Sequence, residues 1–190
     1  MATQATPKTK LYSFDGSVWA SVPLLALIEK GYGPDDVDIK TVDLIKGENF
    51  SPTYLRINPK ATLPSLVVPI ADTISKEVDT KYRALTTTQE VIKFLDSSRS
   101  AQTLDARGES GSANAAPVLA PATVEANAIA DAIVMLLHSN ESDPNFLLLT
   151  ARTKEELEKQ RQGLQGAFIK NRYVFFRNGP LEKLSPMSSH

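Results

Sequence analysis

Tyr54-Leu55-Arg56-Ile57-Asn58-Pro59-Lys60-Ala61-Thr62-Leu63-Pro64-Ser65-Leu66 is punctuated by two prolines five residues apart. Pro59 ends the short helix that Tyr54 and Leu55 suggest, and it pushes Asn58 toward extended backbone. Pro64 stands where the chain enters Ser65-Leu66-Val67-Val68, a β-prone run that continues to Ile70. Its missing N–H therefore falls at the first residue of a strand, where no ladder bond is lost. Read from these residues alone, the stretch is helix, turn, strand. A plain helix-to-strand loop that happens to hold two prolines fits the same window.

Upstream, Leu11-Tyr12-Ser13-Phe14 is a short β-prone run closed by Asp15-Gly16. From Trp19 to Lys30, the residues Val22, Leu24, Leu25, Leu27 and Ile28 predict a helix with a broad apolar face, ended by Gly31-Tyr32-Gly33-Pro34. Val37 and Ile39 then alternate with Asp38 and Lys40, as a strand does. Strand, helix, strand is the pattern of a right-handed crossover unit. Downstream, a polar stretch from Ala71 to Asp79 before Tyr82–Leu85 predicts a hairpin with an enlarged loop. Thr88, Val91, Ile92 and Leu95 recur at helical spacing, so a helix should follow and end near Asp96. The predicted order is βαβαββα, an α/β domain over residues 1–96.

Residues 97–120 are rich in Ser, Ala, Gly and charge, and read as a linker of the mobile kind. Beyond it, residues 121–190 read as all-helical. Val124, Ile129, Ile133, Leu136 and Leu137 mark an amphipathic helix, with Pro121 suited to its first turn. Thr153 and Glu156 form a capping box for a further helix that should carry Leu157, Leu164 and Phe168 inward. Gly179-Pro180 interrupts the last helical stretch. With two or three helices in all, the helical part reads as reduced or incomplete, which should leave apolar surface of the Val124–Leu137 helix partly uncovered.

Composition excludes several functions. The formal net charge is −1, so neither nucleic acid nor an anionic membrane is an expected partner. No apolar run approaches the roughly 20 residues needed to span a bilayer, and the first ten residues lack the apolar core of a signal peptide. A soluble, cytoplasmic protein is expected. The chain has no cysteine, so it cannot run disulfide exchange through its own thiols. His138 and His190 are its only imidazoles, which argues against a metal site. Any thiol chemistry must use a thiol that the ligand brings.

Set among these elements, the stretch around Pro59 and Pro64 resembles the N-P-x-G-x-V-P-x-L signature of glutathione transferases, with Ala61 where glycine is usual. The resemblance implies a thioredoxin-like N-terminal domain in which the second proline is cis and opens the third strand. Leu11-Tyr12-Ser13-Phe14-Asp15-Gly16-Ser17-Val18-Trp19 resembles the opening of the serine-type enzymes, where a serine lies six residues after the leucine of the first strand. Ser17 is that residue, and the resemblance makes it the catalytic group that assists the glutathione thiolate. Leu63, before Pro64, is then expected to offer backbone groups to the cysteinyl part of glutathione. Thr87 and Thr88 stand where the usual acidic-or-glutamine and serine pair would be, and the resemblance implies that Thr88, with Thr87 beside it, receives the γ-glutamyl carboxylate. Lys46, Asn49 and Lys60 are candidates for the glycyl carboxylate. Gly16-Ser17-Val18-Trp19, taken with Lys46-Gly47-Glu48-Asn49-Phe50 and Asn58-Pro59, is most similar to the fungus-specific class A enzymes. That likeness implies conjugation or peroxidase activity toward small apolar or aromatic electrophiles, a homodimer, glutathione as co-substrate and no metal.

Each of these residues has a plainer role open to it. Ser17 can simply cap a helix. Ser21 is a rival cap, with Pro23 then in the first turn. Thr87 and Glu90 fit a capping box. A lysine near a loop is usually only solvated. A non-catalytic binding or interaction module of the same fold is the alternative to an enzyme.

Overall fold

The computed structural model describes residues 8–70, 81–99 and 116–178. Strand β1 (Thr9–Ser13) leads to helix α1 (Val18–Glu29) and strand β2 (Val37–Thr41). A 3-10 turn at Glu48–Phe50 and the short helix α2 (Pro52–Leu55) precede strands β3 (Ser65–Pro69) and β4 (Tyr82–Leu85), and helix α3 (Thr88–Ser98) closes the unit. The strands form one sheet in the order β2-β1-β3-β4. β2 is parallel to β1, while β3 and β4 are antiparallel to their neighbours. This is a thioredoxin-like sheet with a helical part after it. The expected hairpin loop at 71–79 lies outside the described residues, as does residue 100–115 of the expected linker.

The core lies between the sheet and the paired helices α1 and α3. Leu11, Leu66 and Val91 have no exposed surface, and Leu95, Val68, Leu85, Ala26, Leu27 and Val37 complete the cluster. Each fully buried aliphatic side chain contributes roughly 1.5–3 kcal/mol, so this cluster is the main source of apolar stabilisation. The stripe of α1 that faces it is Ala20, Pro23, Ala26 and Leu27. Leu25 and Ile28, expected on an inward face, instead point to solvent at 59% and 73% exposure. The apolar run in α1 exceeds what one helical face can bury.

Helix α1 begins at Val18, with Ser17 in extended conformation as its cap. Ser21 is therefore not the cap, and its hydroxyl donates back to the Val18 carbonyl at 2.7 Å. Pro23 lies inside the helix, not in its first turn.

The helical part comprises α4 (Val124–Leu137), α5 (Pro144–Leu149), α6 (Lys154–Gln162) and α7 (Leu164–Asn178). Thr123 caps α4, so Pro121 stands two residues before the cap and outside the first turn. α5 escaped the hydrophobic pattern, although Asp143-Pro144, a cap followed by proline at the first position, announces it. The single helix expected after Thr153 is two helices. Gly163 closes α6, and a Cβ on Gly166 would run into the Arg161 carbonyl oxygen, so only glycine permits the tight passage into α7. Thr153 accepts from the Glu156 N–H, but the Glu156 carboxylate accepts from Arg152 instead of completing the box. Leu157 and Leu164, expected inward, are exposed, and Phe168 is half-buried. No residue of α4 or α6 is fully buried. On α4, Val124, Ile129, Ile133 and Leu136 are all more than half exposed.

Candidate functional site

Strand register gathers the candidate residues at one end of the sheet. β1 runs toward Ser13, and Tyr12 lies opposite Ser65, the first residue of β3. Leu66 lies opposite Leu85, the last residue of β4. The start of α1, the Leu63-Pro64 turn and the start of α3 consequently leave the sheet at the same edge. Thr41 pairs with Ser13 in the parallel neighbour, which brings the 42–50 loop to that edge as well.

Ser17, the cap just before the first turn of α1, is buried. Its Oγ accepts from the Ala20 N–H at 3.3 Å. A hydroxyl has one donor and two acceptor sites, and among the described residues nothing takes the Ser17 proton. Capping and donation to a ligand therefore do not compete for the same part of the group. The first N–H groups of α1 also favour an anion near this point.

Leu63-Pro64 is a cis bond, as expected. Among the described residues neither the N–H nor the C=O of Leu63 has a partner. The turn that carries them is held from below by a polar cluster. The Tyr54 hydroxyl donates to the Thr62 carbonyl at 2.6 Å and lies 3.0 Å from the Ser65 hydroxyl. Asn58 Nδ2 reaches the same carbonyl at 2.9 Å, the Thr62 hydroxyl at 3.0 Å and Ser65 Oγ at 3.2 Å. Burial pushes the Tyr54 phenol up to about 12, although its bonds to Ser65 and Asn58 pull the other way. Ala61 has φ +54°, a left-handed backbone that disfavours any Cβ.

Thr87 is the cap of α3. Its hydroxyl donates to the Glu90 carboxylate and accepts from the Glu90 N–H, and its own N–H also reaches that carboxylate. The Thr87 hydroxyl bond holds Glu90 below the usual carboxylate range, assisted by nearby backbone N–H groups. Thr88, half-buried in the first turn, keeps its hydroxyl and N–H without a partner among the described residues.

The candidates for a ligand carboxylate separate. Lys46 is exposed and paired with Asp43 at 3.0 Å; the hydrogen bond between them raises the lysine and lowers the aspartate. Lys60 is exposed. Asn49 is drawn inside at 2% exposure, where Nδ2 donates to the Ala61 carbonyl at 2.9 Å and supports the turn.

Aromatic contacts from the helical part flank this edge, and no short-range pattern announced them. Trp19 stacks on His138 at 3.9 Å between ring centroids, and its Nε1 donates to Asp143 at 3.4 Å. His138 Nδ1 lies 2.8 Å from the Val134 carbonyl, which can only accept, so Nδ1 carries the proton. Phe50 stacks on Phe175 at 4.5 Å, and Asn171 Nδ2 donates to the Ile45 carbonyl. These partners stand more than 100 positions apart in the chain.

Among the described residues no group of His, Asp or Glu is placed to hold a metal ion, and no helix is long and apolar enough to cross a membrane.

Residues 11–106, just over half of the chain, match the family described as glutathione S-transferase, N-terminal domain. The chain belongs to the glutathione S-transferase family. It is 40% identical over 78 residues to glutathione S-transferase 1 of Dianthus caryophyllus, a match covering 40% of this chain and 34% of that protein. It is 41% identical over 63 residues to the tetrachloro-p-hydroquinone reductive dehalogenase of Sphingobium chlorophenolicum, covering 33% and 24%. Among solved structures it is similar in fold to a possible glutathione S-transferase from Rhodopseudomonas palustris, with TM-score 0.52, 18% identity and coverage of 90% of this chain and 63% of that one. The human glutathione S-transferase T1-1, in its apo form, gives TM-score 0.51 at 15% identity, covering 88% and 61%. The chain thus spans about a third or less of the curated relatives' lengths and under two thirds of these structures'.

Proposed function

We propose that this protein is a serine-type glutathione transferase in which the unshared proton of Ser17 is donated to the glutathione thiolate. That free proton on a buried capping hydroxyl is the observation that carries the reading. Lowering a thiol from about 8.5 to about 6.5 takes roughly 3 kcal/mol of selective anion stabilisation. One charge-assisted hydrogen bond with a helix N-terminus is of that order. The unpartnered backbone of Leu63 beside Pro64 suits the cysteinyl amide. Thr88, with the backbone around Thr87, suits the γ-glutamyl carboxylate. Lys60, exposed, is placed to approach the glycyl carboxylate, and Lys46 would have to exchange its Asp43 partner to do so, while Asn49 acts on the site through the turn it supports.

In this reading a small apolar or aromatic electrophile is conjugated or reduced, with a detoxifying role in the cytoplasm. Trp19 and Phe50, capped by His138 and Phe175, give that edge its aromatic character. Gly16-Ser17-Val18-Trp19 and Lys46-Gly47-Glu48-Asn49-Phe50 support the narrower placement near the fungus-specific class A enzymes. The exposed Ile129, Ile133 and Leu136 of α4 suit a homodimer. Calorimetric titration with glutathione, followed by turnover with an electron-poor aryl halide and an organic hydroperoxide, tests the whole. Binding with Ser17-dependent turnover is the expected result. The engagement of Thr87 with Glu90 favours one other reading, a non-catalytic binding module, which binding without turnover of any electrophile would select.

A further inference from the structure

We infer that Tyr54 is a positioning residue for the ligand's peptide backbone: its hydroxyl, with the Asn58 amide, turns the Thr62-Leu63 peptide so that the Leu63 N–H faces out of the protein. The inference rests on the glutathione-site reading given above. It begins with proton bookkeeping in the polar cluster. At 2.6 Å the Tyr54 proton goes to the Thr62 carbonyl, which can only accept. Ser65 must then donate its own proton to the Tyr54 oxygen across 3.0 Å, and Asn58 Nδ2 donates to both Thr62 and Ser65. Two donors thus converge on one carbonyl, and Tyr54, Asn58 and Ser65 are all buried.

The Thr62-Leu63 peptide is trans and planar, so its C=O and N–H point in opposite directions. A carbonyl clamped inward to Tyr54 and Asn58 leaves the Leu63 N–H directed away from the cluster. That N–H has no partner among the described residues, as an amide kept for a ligand requires. The edge-to-face contact of Tyr12 with Tyr54, 5.7 Å between centroids, fixes the phenol ring from the side of β1. Tyr54 touches no ligand in this scheme and acts only through the peptide plane.

The test is Tyr54→Phe in the full chain, which removes one oxygen and leaves the ring packing. Glutathione affinity is measured by calorimetry well below the melting transition, so that loss of stability does not enter. The dissociation constant should rise about 3- to 10-fold, the effect of one lost hydrogen bond. At saturating glutathione, kcat should stay within about twofold of the parent, so that the effect appears in KM. An unchanged dissociation constant in a parent chain that does bind glutathione overturns the inference and spares the functional reading. A parent chain that does not bind glutathione overturns both. Amide exchange in the unmodified chain decides independently if the variant fails to fold. The Leu63 N–H should exchange fast in the free protein and slow at least about tenfold when glutathione is added; slow exchange before addition overturns the inference.

Discussion

The Lys30 ammonium, with none of its side chain exposed, lies 2.8 Å from the Asp96 carboxylate. Lys30 closes α1 and Asp96 lies near the end of α3, so the pair ties the two helices that cover the sheet. It also anchors the chain beyond them. Lys30 donates to the Pro117 carbonyl at 2.6 Å, and Asp96 accepts from the Leu119 and Ala120 N–H groups at 3.0 and 3.1 Å. The strap at 116–120 is held through its backbone, with Leu119 packed on the core.

Removing one partner leaves the other's charge without its counter-ion, with only the backbone bonds to Pro117 or from Leu119 and Ala120 remaining, and breaking such a buried pair costs up to about 3–5 kcal/mol. Asp96→Asn and Lys30→Met should each lower stability by that order in urea titrations, and the double replacement should lose less than the sum. Burial pushes the Asp96 carboxyl up, but the bonds from Lys30, Leu119 and Ala120 outweigh it and hold it below 3.8. The unfolded chain then binds the proton more readily, so this contribution is complete above about pH 3.8 and is lost as pH falls through the folded value. Asp96→Asn should flatten the acid limb of the stability profile; an unchanged limb would assign acid unfolding to other groups.

Tyr54 works in the opposite pH range. Its phenol titrates near 10.0 when unfolded and about 12 when folded. The folded chain holds the proton more tightly, so the stability is fully present below pH 10 and is lost as pH rises toward 12, by roughly 2–3 kcal/mol. Tyr54→Phe should lose stability at neutral pH and show a shallower alkaline decline. Thermal unfolding at pH 8 to 11.5 would read both, and a decline equally steep in the variant would clear Tyr54 of the effect.

Ser17 carries two separable effects. Ser17→Ala removes a helix cap and should lower stability by about 1 kcal/mol. In the proposed mechanism it should also slow conjugation at neutral pH by roughly 10-fold or more while glutathione affinity changes little. Ser17→Thr keeps the hydroxyl and should recover most of the rate. Equal rates for Ser, Ala and Thr at this position would reduce Ser17 to a cap.

Trp19 is the chain's single tryptophan, so its emission reports on the contact with α4 and α5. His138→Ala removes the stacked ring and should cost about 0.5–1.5 kcal/mol. The emission should shift to longer wavelength as the indole gains water. An unmoved spectrum would mean that the stack does not persist in solution.

Gly166→Ala tests the passage between α6 and α7. The added methyl meets a backbone oxygen, not a movable side chain, so α7 must shift. A loss of at least about 1 kcal/mol is expected. Thermal unfolding of the variant would show it, and unaltered stability would mean that the two helices yield freely.

The α/β unit was legible in the sequence because its signals are local. Pro59 and Pro64 end a helix and open a strand wherever they stand, Val37 to Lys40 alternate as a strand must, and Thr87 with Glu90 closes a cap within one turn. Ser17 was legible as a cap for the same reason, and Asp143-Pro144 held a similar signal for α5. Neighbours along the chain could not show which carbonyl Tyr54 serves, that Asn49 turns inward, or that Lys30 lies buried against Asp96, 66 positions away. Nor could they show that Trp19 meets His138, or that Leu157 and Leu164 face water. A side chain's local propensity depends on its own backbone and the next turn or two, whereas burial and proton sharing depend on what the folded chain brings against it from elsewhere. Sequence therefore determined the order of strands and helices in the α/β unit and the types of residue at the site, and only tertiary structure decided which of their polar groups are occupied and which stay free for a ligand.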